Sequence, residues 1–296
     1  MLAHLKEKAK QLGLKTAVLT FEPHPRDFFA KQNAKPDLAP ARIATFRDKP
    51  DSLWAKFNTR EMATPAGWRE DKYRVWAWYE GRRGAVLETQ PHAGHLAVAQ
   101  LADTLRSVHG QAVQVDVVTQ NVDNLHERAG STSVIHLHGS LFAPRCAACD
   151  RPGEFAPGVP DQTLTHLEPP ECQHCGGYIR PGVVWFGESM PQKEFRLAED
   201  LVDTCDAMLV IGTSGVVFPA AELPINAHQL GKFVAEINPE RSEVSGYTTV
   251  ECRATAAQGL PDAACFSIHF RLSSWLATLL PFLSRPLKSA MKLSCG

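Results

Sequence analysis

The sequence predicts an α/β fold, a doubly wound parallel sheet carrying a small cysteine-rich insertion. Three short apolar runs end abruptly in small or polar residues. Val113, Val115 and Val117 lead into Thr119-Gln120-Asn121, residues 207–211 into Gly212-Thr213-Ser214, and residues 233–237 into Asn238-Pro239-Glu240. Buried parallel strands deliver ligand-binding loops from their carboxyl ends in this way, and helical segments between the runs complete the alternation. The insertion is read from residues 143–180, which hold two Cys-x-x-Cys pairs with Pro and Gly but little periodicity.

Taken in chain order, residues 4–14 read as a short helix stopped by Gly13, and residues 17–21 as a buried strand. Glu22-Pro23-His24-Pro25 cannot continue a ladder and must turn. Residues 30–41, rich in Ala, Lys and Pro, read as an exposed connector. Between Thr64 and Val86 the aromatic residues Trp68, Trp76, Trp78 and Tyr79 fall at helical spacing, and Pro91 opens the next helix, with Val98, Leu101, Ala102 and Leu105 on one apolar face. Residues 265–296 have a different texture and read as a helix packed on the domain or a loosely ordered tail. Pro281 interrupts that segment and counts against a membrane-surface helix.

The 296 residues are 44% hydrophobic and 21% charged, a globular and not a disordered composition. A net charge of -1 provides no strong attraction to nucleic acid or anionic membrane. No apolar stretch is long enough to span a bilayer, and no export signal follows Met1. A cytoplasmic location and a monomer are expected, and the cysteines are read as metal ligands, not a disulfide framework.

Cys146-x-x-Cys149 and Cys172-x-x-Cys175 supply four thiolates. Each pair can close a tight turn around one metal, which suits a tetrahedral structural zinc with no open position for water. A second signal is Thr119-Gln120-Asn121-Val122-Asp123-Asn124-Leu125-His126, followed by His136-Leu137-His138-Gly139-Ser140. The first places amides and a carboxylate at a strand end, able to grip a carboxamide and a ribose. The second sets an imidazole beside a glycine, where backbone can approach a ligand closely. Histidine titrates near neutrality and can take a proton from a sugar hydroxyl. Taken singly, His126, His136 and His138 each read as structural.

Together, residues 119–140, the paired cysteines, Val184-Trp185-Phe186-Gly187-Glu188, Gly212-Thr213-Ser214 and Asn238-Pro239-Glu240 resemble the sirtuin family of NAD-dependent protein-lysine deacylases, in matching order from about Thr45 to Pro261. The resemblance implies a Rossmann-like domain over 45–264 with a zinc-binding insertion at 143–180. It implies His138 as general base. NAD contacts are implied at Phe46, Arg47, Gln120, Asn121, Val122 and Asp123, with Gln120, Asn121 and Asp123 corresponding to the nicotinamide and ribose contacts. Gly212, Thr213 and Ser214 correspond to the ribose-phosphate loop and Asn238 with Glu240 to the adenosine end, and further contacts are implied at Pro239 and Ala256. Val184, Trp185 and Phe186 correspond to the acyl-lysine tunnel. The implied products are free lysine, nicotinamide and O-acyl-ADP-ribose, with zinc taking no part in the chemistry.

Tyr79 and Arg82, at Tyr-x-x-Arg spacing on one helix face, resemble the bacterial and mitochondrial subgroup that removes succinyl and malonyl groups. There, the pair binds the distal carboxylate, for which an Arg fork is geometrically matched. The implied partners are acylated lysine side chains of proteins.

Two departures stand out. The family's Gly-Ala-Gly-x-Ser segment, whose backbone meets the NAD pyrophosphate, is missing; no glycine lies between Gly13 and Gly67. In its place, residues 5–42, with Ala17-Val18-Leu19-Thr20-Phe21-Glu22-Pro23-His24-Pro25-Arg26 and Ala39-Pro40-Ala41-Arg42, resemble a piece of bifunctional riboflavin kinase/FAD synthetase. That piece lacks the nucleotide motif and kinase domain of its family, so flavin-nucleotide synthesis is not expected. Residues 1–44 thus read as a fragment supplying an atypical first strand. The chain divides between two expectations: a succinyl/malonyl-preferring deacylase that also deacetylates, and a sirtuin-like shell that binds acyl peptide without turnover.

Overall fold

The computed structural model describes residues 16–20, 62–109, 114–156, 158, 160–161 and 163–260. The expected helix at 4–14, the connector at 30–41, the candidate cofactor residues Phe46 and Arg47 and the tail at 265–296 lie outside them.

Strand β1 is Thr16–Thr20, β2 is Val115–Thr119 and β3 is Val134–His136; β6 is Ala207–Ile211, β7 is Phe233–Ile237 and β8 is Val250–Cys252. Among the described residues they form one sheet in the order β3-β2-β1-β6-β7-β8, every pair parallel. This is the doubly wound arrangement, and its order reverses at β1, the crevice where such sheets bind ligands. The residues expected to replace the first strand do fill the central slot, with Thr16 in register with Val115 and Ala207, and Thr20 with Thr119 and Ile211.

Among the described residues the α-helices are α1 (Pro65–Glu70), α2 (Lys72–Glu88), α3 (Ala93–His109), α4 (Leu125–Arg128), α5 (Gln192–Thr204), α6 (Glu222–Gln229) and α7 (Ala256–Gly259). The stretch from Thr64 to Val86, whose aromatic residues fall at helical spacing, is divided between two helices. Thr64 caps α1 through Oγ1 to the Gly67 N–H at 3.0 Å, with Pro65 in the first turn. Asp71 breaks the run and caps α2 through Oδ1 to the Arg74 N–H at 2.9 Å. The next helix begins at Ala93, two residues beyond Pro91.

Helix α2 is buried around most of its circumference, from Val75 to Val86, which explains the density of aromatic residues. Its charged residues Glu80 and Arg83 are buried as a bidentate pair at 2.7 and 2.9 Å. The sheet core joins Val118, Leu137, Met208, Val210 and Val234 to Ala198, Leu223 and Ala227 of the covering helices. A second core packs Trp78 and Tyr79 of α2 against Leu141, Val183 and Trp185.

The cysteine-rich insertion is framed by an antiparallel ribbon, β4 (Gly139–Cys146) with β5 (Ile179–Val183). Gly139, expected from the sequence to allow close ligand approach, has φ +70°, and a side chain there would meet the Gly182 carbonyl oxygen at 2.1 Å. The missing side chain therefore lets β5 close on β4.

Candidate active site

The parallel sheet carries the loops after β2, β6 and β7 to one edge, and hydrogen bonds tie the last two together. Gly212 N–H donates to Ile237 O at 2.9 Å, and Asn238 Nδ2 donates to Thr213 O at 2.5 Å. Gly212 adopts φ +64°, and Thr213 Oγ1 accepts the Gly215 N–H at 2.9 Å, a tight turn that turns Ser214 partly toward solvent. Asn238 is buried and its Oδ1 has no hydrogen-bond partner, an acceptor available to a ligand. Pro239 is half-buried and Glu240 exposed. Arg253 braces this loop: it donates to Glu240 O at 2.8 Å and pairs with the fully buried Glu236 at 2.9 Å. Half-buried Ala256 sits against α3 at Gly94.

After β2, Asn121 N–H donates to Thr119 Oγ1 at 3.0 Å, and Asp123 Oδ1 accepts the Leu125 N–H at 3.0 Å. Burial raises the Asp123 carboxyl above its usual value, against the Leu125 hydrogen bond. Val122 O accepts from Leu141 N–H at 2.8 Å, joining this loop to β4.

His138 Nδ1 lies 3.2 Å from Gln120 O. A carbonyl only accepts, so Nδ1 carries the hydrogen and Nε2 is the basic nitrogen. Burial holds His138 below the ordinary imidazole value, although the Gln120 carbonyl favours the charged ring. An uncharged imidazole with a fixed tautomer can accept a proton. His136 differs: Nδ1 donates to Asn121 O at 3.1 Å and Nε2 faces Glu127 at 2.7 Å. Burial opposes its charge, but Glu127 and the Asn121 carbonyl outweigh that and raise its pKa. It is bound up in the loop's own structure.

Val184 N–H donates to His138 O at 2.9 Å, and Trp185 Nε1–H donates to Tyr79 Oη at 3.0 Å. His138, Val184, Trp185 and Tyr79 are therefore one connected patch. Phe186 beside them is 57% exposed, an apolar rim and not a buried wall. Arg82 lies one helical turn beyond Tyr79, its guanidinium 5.0 Å from the Trp78 ring, and its buried Nε has no hydrogen-bond partner. The neighbouring carboxylate, Glu80, is taken by Arg83.

The four cysteine sulfurs all lie within 4.8 Å of one another, with Cys146–Cys175 at 3.5 Å and Cys149–Cys172 at 3.8 Å. Tetrahedral zinc with Zn–S of about 2.3 Å places its sulfurs about 3.8 Å apart, so the donor set fits the ion. Ala148 and Cys149 N–H groups point at Cys146 Sγ, at 3.3 and 3.4 Å, and favour the thiolate.

The sequence pattern alone assigns no role to Arg180, Glu188, Glu236 or Arg253. Glu236 is detectable as a charge inside an apolar strand run, whereas the Arg180–Glu188 pair joins residues whose proximity only the folded ribbon creates.

A doubly wound parallel sheet with ligand loops at its switch point, joined to a four-cysteine module, defines a nucleotide-binding enzyme class. The Sir2 family profile matches residues 39–219, and an FAD synthetase profile matches residues 1–61. An NAD-dependent protein deacylase of Corynebacterium glutamicum is 44% identical over 225 residues, 75% of this chain and 84% of that protein. One from Mycobacterium tuberculosis is 45% identical over 224 residues, 75% of this chain and 90% of that protein. A solved Sir2 homologue–NAD complex superposes with a TM-score of 0.68 at 35% identity, covering 90% of this chain and 93% of the other. The chain belongs to the Sir2 family.

Proposed function

We propose that this chain removes succinyl and malonyl groups, and also acetyl groups, from lysine side chains of proteins. The general activity is that of an NAD-dependent protein deacylase, the name its corynebacterial and mycobacterial relatives carry. Its cofactors are NAD and zinc.

When bound, NAD supplies a ribose carbon that can receive the acyl oxygen as nicotinamide leaves. The chain's residues hold and deprotonate. Gln120, Asn121, Val122 and Asp123 line the nicotinamide ribose, and His138 Nε2 takes a proton from a ribose hydroxyl. Gly212, Thr213 and Ser214 receive the phosphate-ribose portion. Asn238, Pro239, Glu240 and Ala256 receive the adenosine end, where the unpartnered Asn238 Oδ1 offers an acceptor. Phe46 and Arg47 belong to the same site on sequence grounds. Val184, Trp185 and Phe186 flank the acyl-lysine. Cys146, Cys149, Cys172 and Cys175 hold a structural zinc.

The observation that carries the acyl preference is the Arg82 guanidinium, whose buried Nε lacks a partner while Glu80 is committed to Arg83. A distal carboxylate supplies the missing acceptor; an acetyl group does not, and leaves the buried Nε–H unpaired. The competing reading, a shell without turnover, rests on the absent glycine segment. The continuous path from His138 to Tyr79 and the extensive identity to named deacylases favour the enzyme.

The test is release of nicotinamide from NAD with succinyl-lysine and acetyl-lysine peptides. Arg82→Met should lower the ratio of the two specificity constants about ten- to a hundredfold, the worth of one charge-assisted bond. Equal loss of both activities would make Arg82 a structural residue.

A further inference from the structure

The hydroxyl of Tyr79 has one hydrogen to give and lone pairs to receive. Trp185 Nε1–H occupies a lone pair at 3.0 Å, in a buried contact between residues far apart in the chain. The phenol proton is then left for another partner. An incoming group that only accepts, such as a carboxylate, is complementary to this arrangement; an incoming donor has to compete with the indole.

The indole is itself held from several sides. Its backbone N–H donates to Glu188 Oε2 at 2.8 Å. The Arg180 guanidinium lies over the ring, with Cζ 3.3 Å from the centroid, and pairs with Glu188 at 2.5 and 3.0 Å. Arg180 also donates to Val183 O at 3.0 Å and Pro181 O at 3.2 Å, so the cation is fixed. A cation on an indole face draws on its π density and strengthens the N–H as a donor. Trp68 packs on the same ring at 5.7 Å. Ile179, next to Arg180 on β5, packs with Cys146 and Cys172, so this assembly grows directly out of the cysteine module.

We infer that Trp185, held by Arg180 and Glu188, is a specificity-determining positioning residue: its indole N–H sets the Tyr79 hydroxyl as a donor for the distal carboxylate of the acyl group. This rests on the charged-acyl reading above and adds a device to it. Burial raises Tyr79 to about 12, with the Trp185 hydrogen bond and the nearby Arg82 and Arg180 opposing, so the hydroxyl keeps its proton at every working pH.

The experiment is a double-mutant cycle on Trp185→Phe and Tyr79→Phe in the zinc-loaded full chain. It is read as the ratio of specificity constants for succinyl-lysine and acetyl-lysine peptides, in which general damage to the tunnel cancels. Trp185→Phe should lower the ratio about tenfold, the worth of about 1.4 kcal/mol, mainly through KM for the succinyl peptide. Placed on Tyr79→Phe it should lower the ratio no further. Independent, multiplying effects, or equal loss of both activities with Trp185→Phe, overturn the inference. The spectrum of the unmodified chain covers the case in which Trp185→Phe does not fold. One indole N–H proton resonance should move upfield in Tyr79→Phe, and the same resonance should respond to succinyl-lysine but not acetyl-lysine peptide; no such signal overturns the inference. Arg82→Met separates the two claims. An unchanged ratio there sinks the charged-acyl reading itself, whereas a lowered ratio combined with multiplying Trp185 and Tyr79 effects sinks only the indole's role.

Discussion

The central strand β1 and its neighbours β2 and β6 are paired side by side in one sheet, yet the sequences that follow them differ in kind. Thr119 and Ile211 lead into Gln120-Asn121 and Gly212-Thr213, whose backbone and side chains are tied into the site. Thr20 is followed in sequence by Phe21-Glu22-Pro23-His24, within the residues 1–61 that match FAD synthetase, and no glycine lies between Gly13 and Gly67. A slot in a parallel sheet asks only for a short apolar run with free backbone donors and acceptors, and Thr-Ala-Val-Leu-Thr meets that. A loop that meets phosphate asks for particular chemistry: close backbone approach and no added negative charge.

Positions that depend on chemistry should fail under small substitutions, and positions that depend on shape should not. The largest effect is expected at the metal. Cys146→Ser keeps the shape and removes a ligand, and structural zinc contributes on the order of 10 kcal/mol of apparent folding free energy in small zinc domains. Metal analysis should find the zinc gone and proteolysis should open the β4–β5 module; full metal content would remove the zinc assignment. His138→Ala comes next: if the ring serves proton transfer as proposed, kcat should fall about 10²–10⁴-fold with the melting temperature kept.

The third prediction tests the comparison directly. Replacing residues 22–26 by Gly-Ala-Gly-Ile-Ser should tighten NAD about tenfold or more in calorimetry, each charge-assisted backbone bond being worth about 1.5–3 kcal/mol. Leu19→Ile inside β1 should cost less than about 1.5 kcal/mol and leave NAD affinity alone. Tight NAD binding by the unmodified chain, or a large effect of Leu19→Ile on it, would erase the distinction between slot and loop.

The smallest expected effect is one of pH. His95 and His126 meet edge to face with ring centroids 4.8 Å apart, and the His92 ring lies 4.0 Å from that of His95. Burial, reinforced for His95 by His92 and His126, lowers His95 to about 2 and His126 to about 4. An unfolded imidazole protonates near 6.5. The unfolded chain thus binds more protons below that pH, and stability present above it is lost as the pH falls toward 4. His136, raised by Glu127, contributes with the opposite sign. His95→Gln should flatten the acid side of the melting-temperature profile, and an unchanged slope would show that the ring does not matter there.

Much of this was legible in the sequence because the elements concerned are self-contained. Residues 207–211 and 233–237 are apolar throughout or nearly so and declare themselves as buried strands, and the cysteine spacing declares a metal. The three-residue edge strands β3 and β8 carry too little pattern to be found, and the break at Asp71 is visible only as a cap. Tyr79 and Arg82 were legible as one helix face. That Glu80 pairs with Arg83 and not with Arg82 follows from helix spacing, i,i+3 against i,i+2, whereas that Trp185 would reach Tyr79 depends on packing between distant segments. No helix among the described residues is long and apolar enough to cross a membrane.

The register of β1 also has a consequence for the birth of the protein. Thr16 pairs with Val115 on one side and Ala207 on the other. The middle of the sheet is therefore synthesised first, and its two partners arrive about a hundred and about two hundred residues later, a separation that slows folding. Until then its hydrogen-bonding edges stand open, an aggregation hazard on the ribosome. Productive pairing of β1 on both sides can follow only once β6 has emerged.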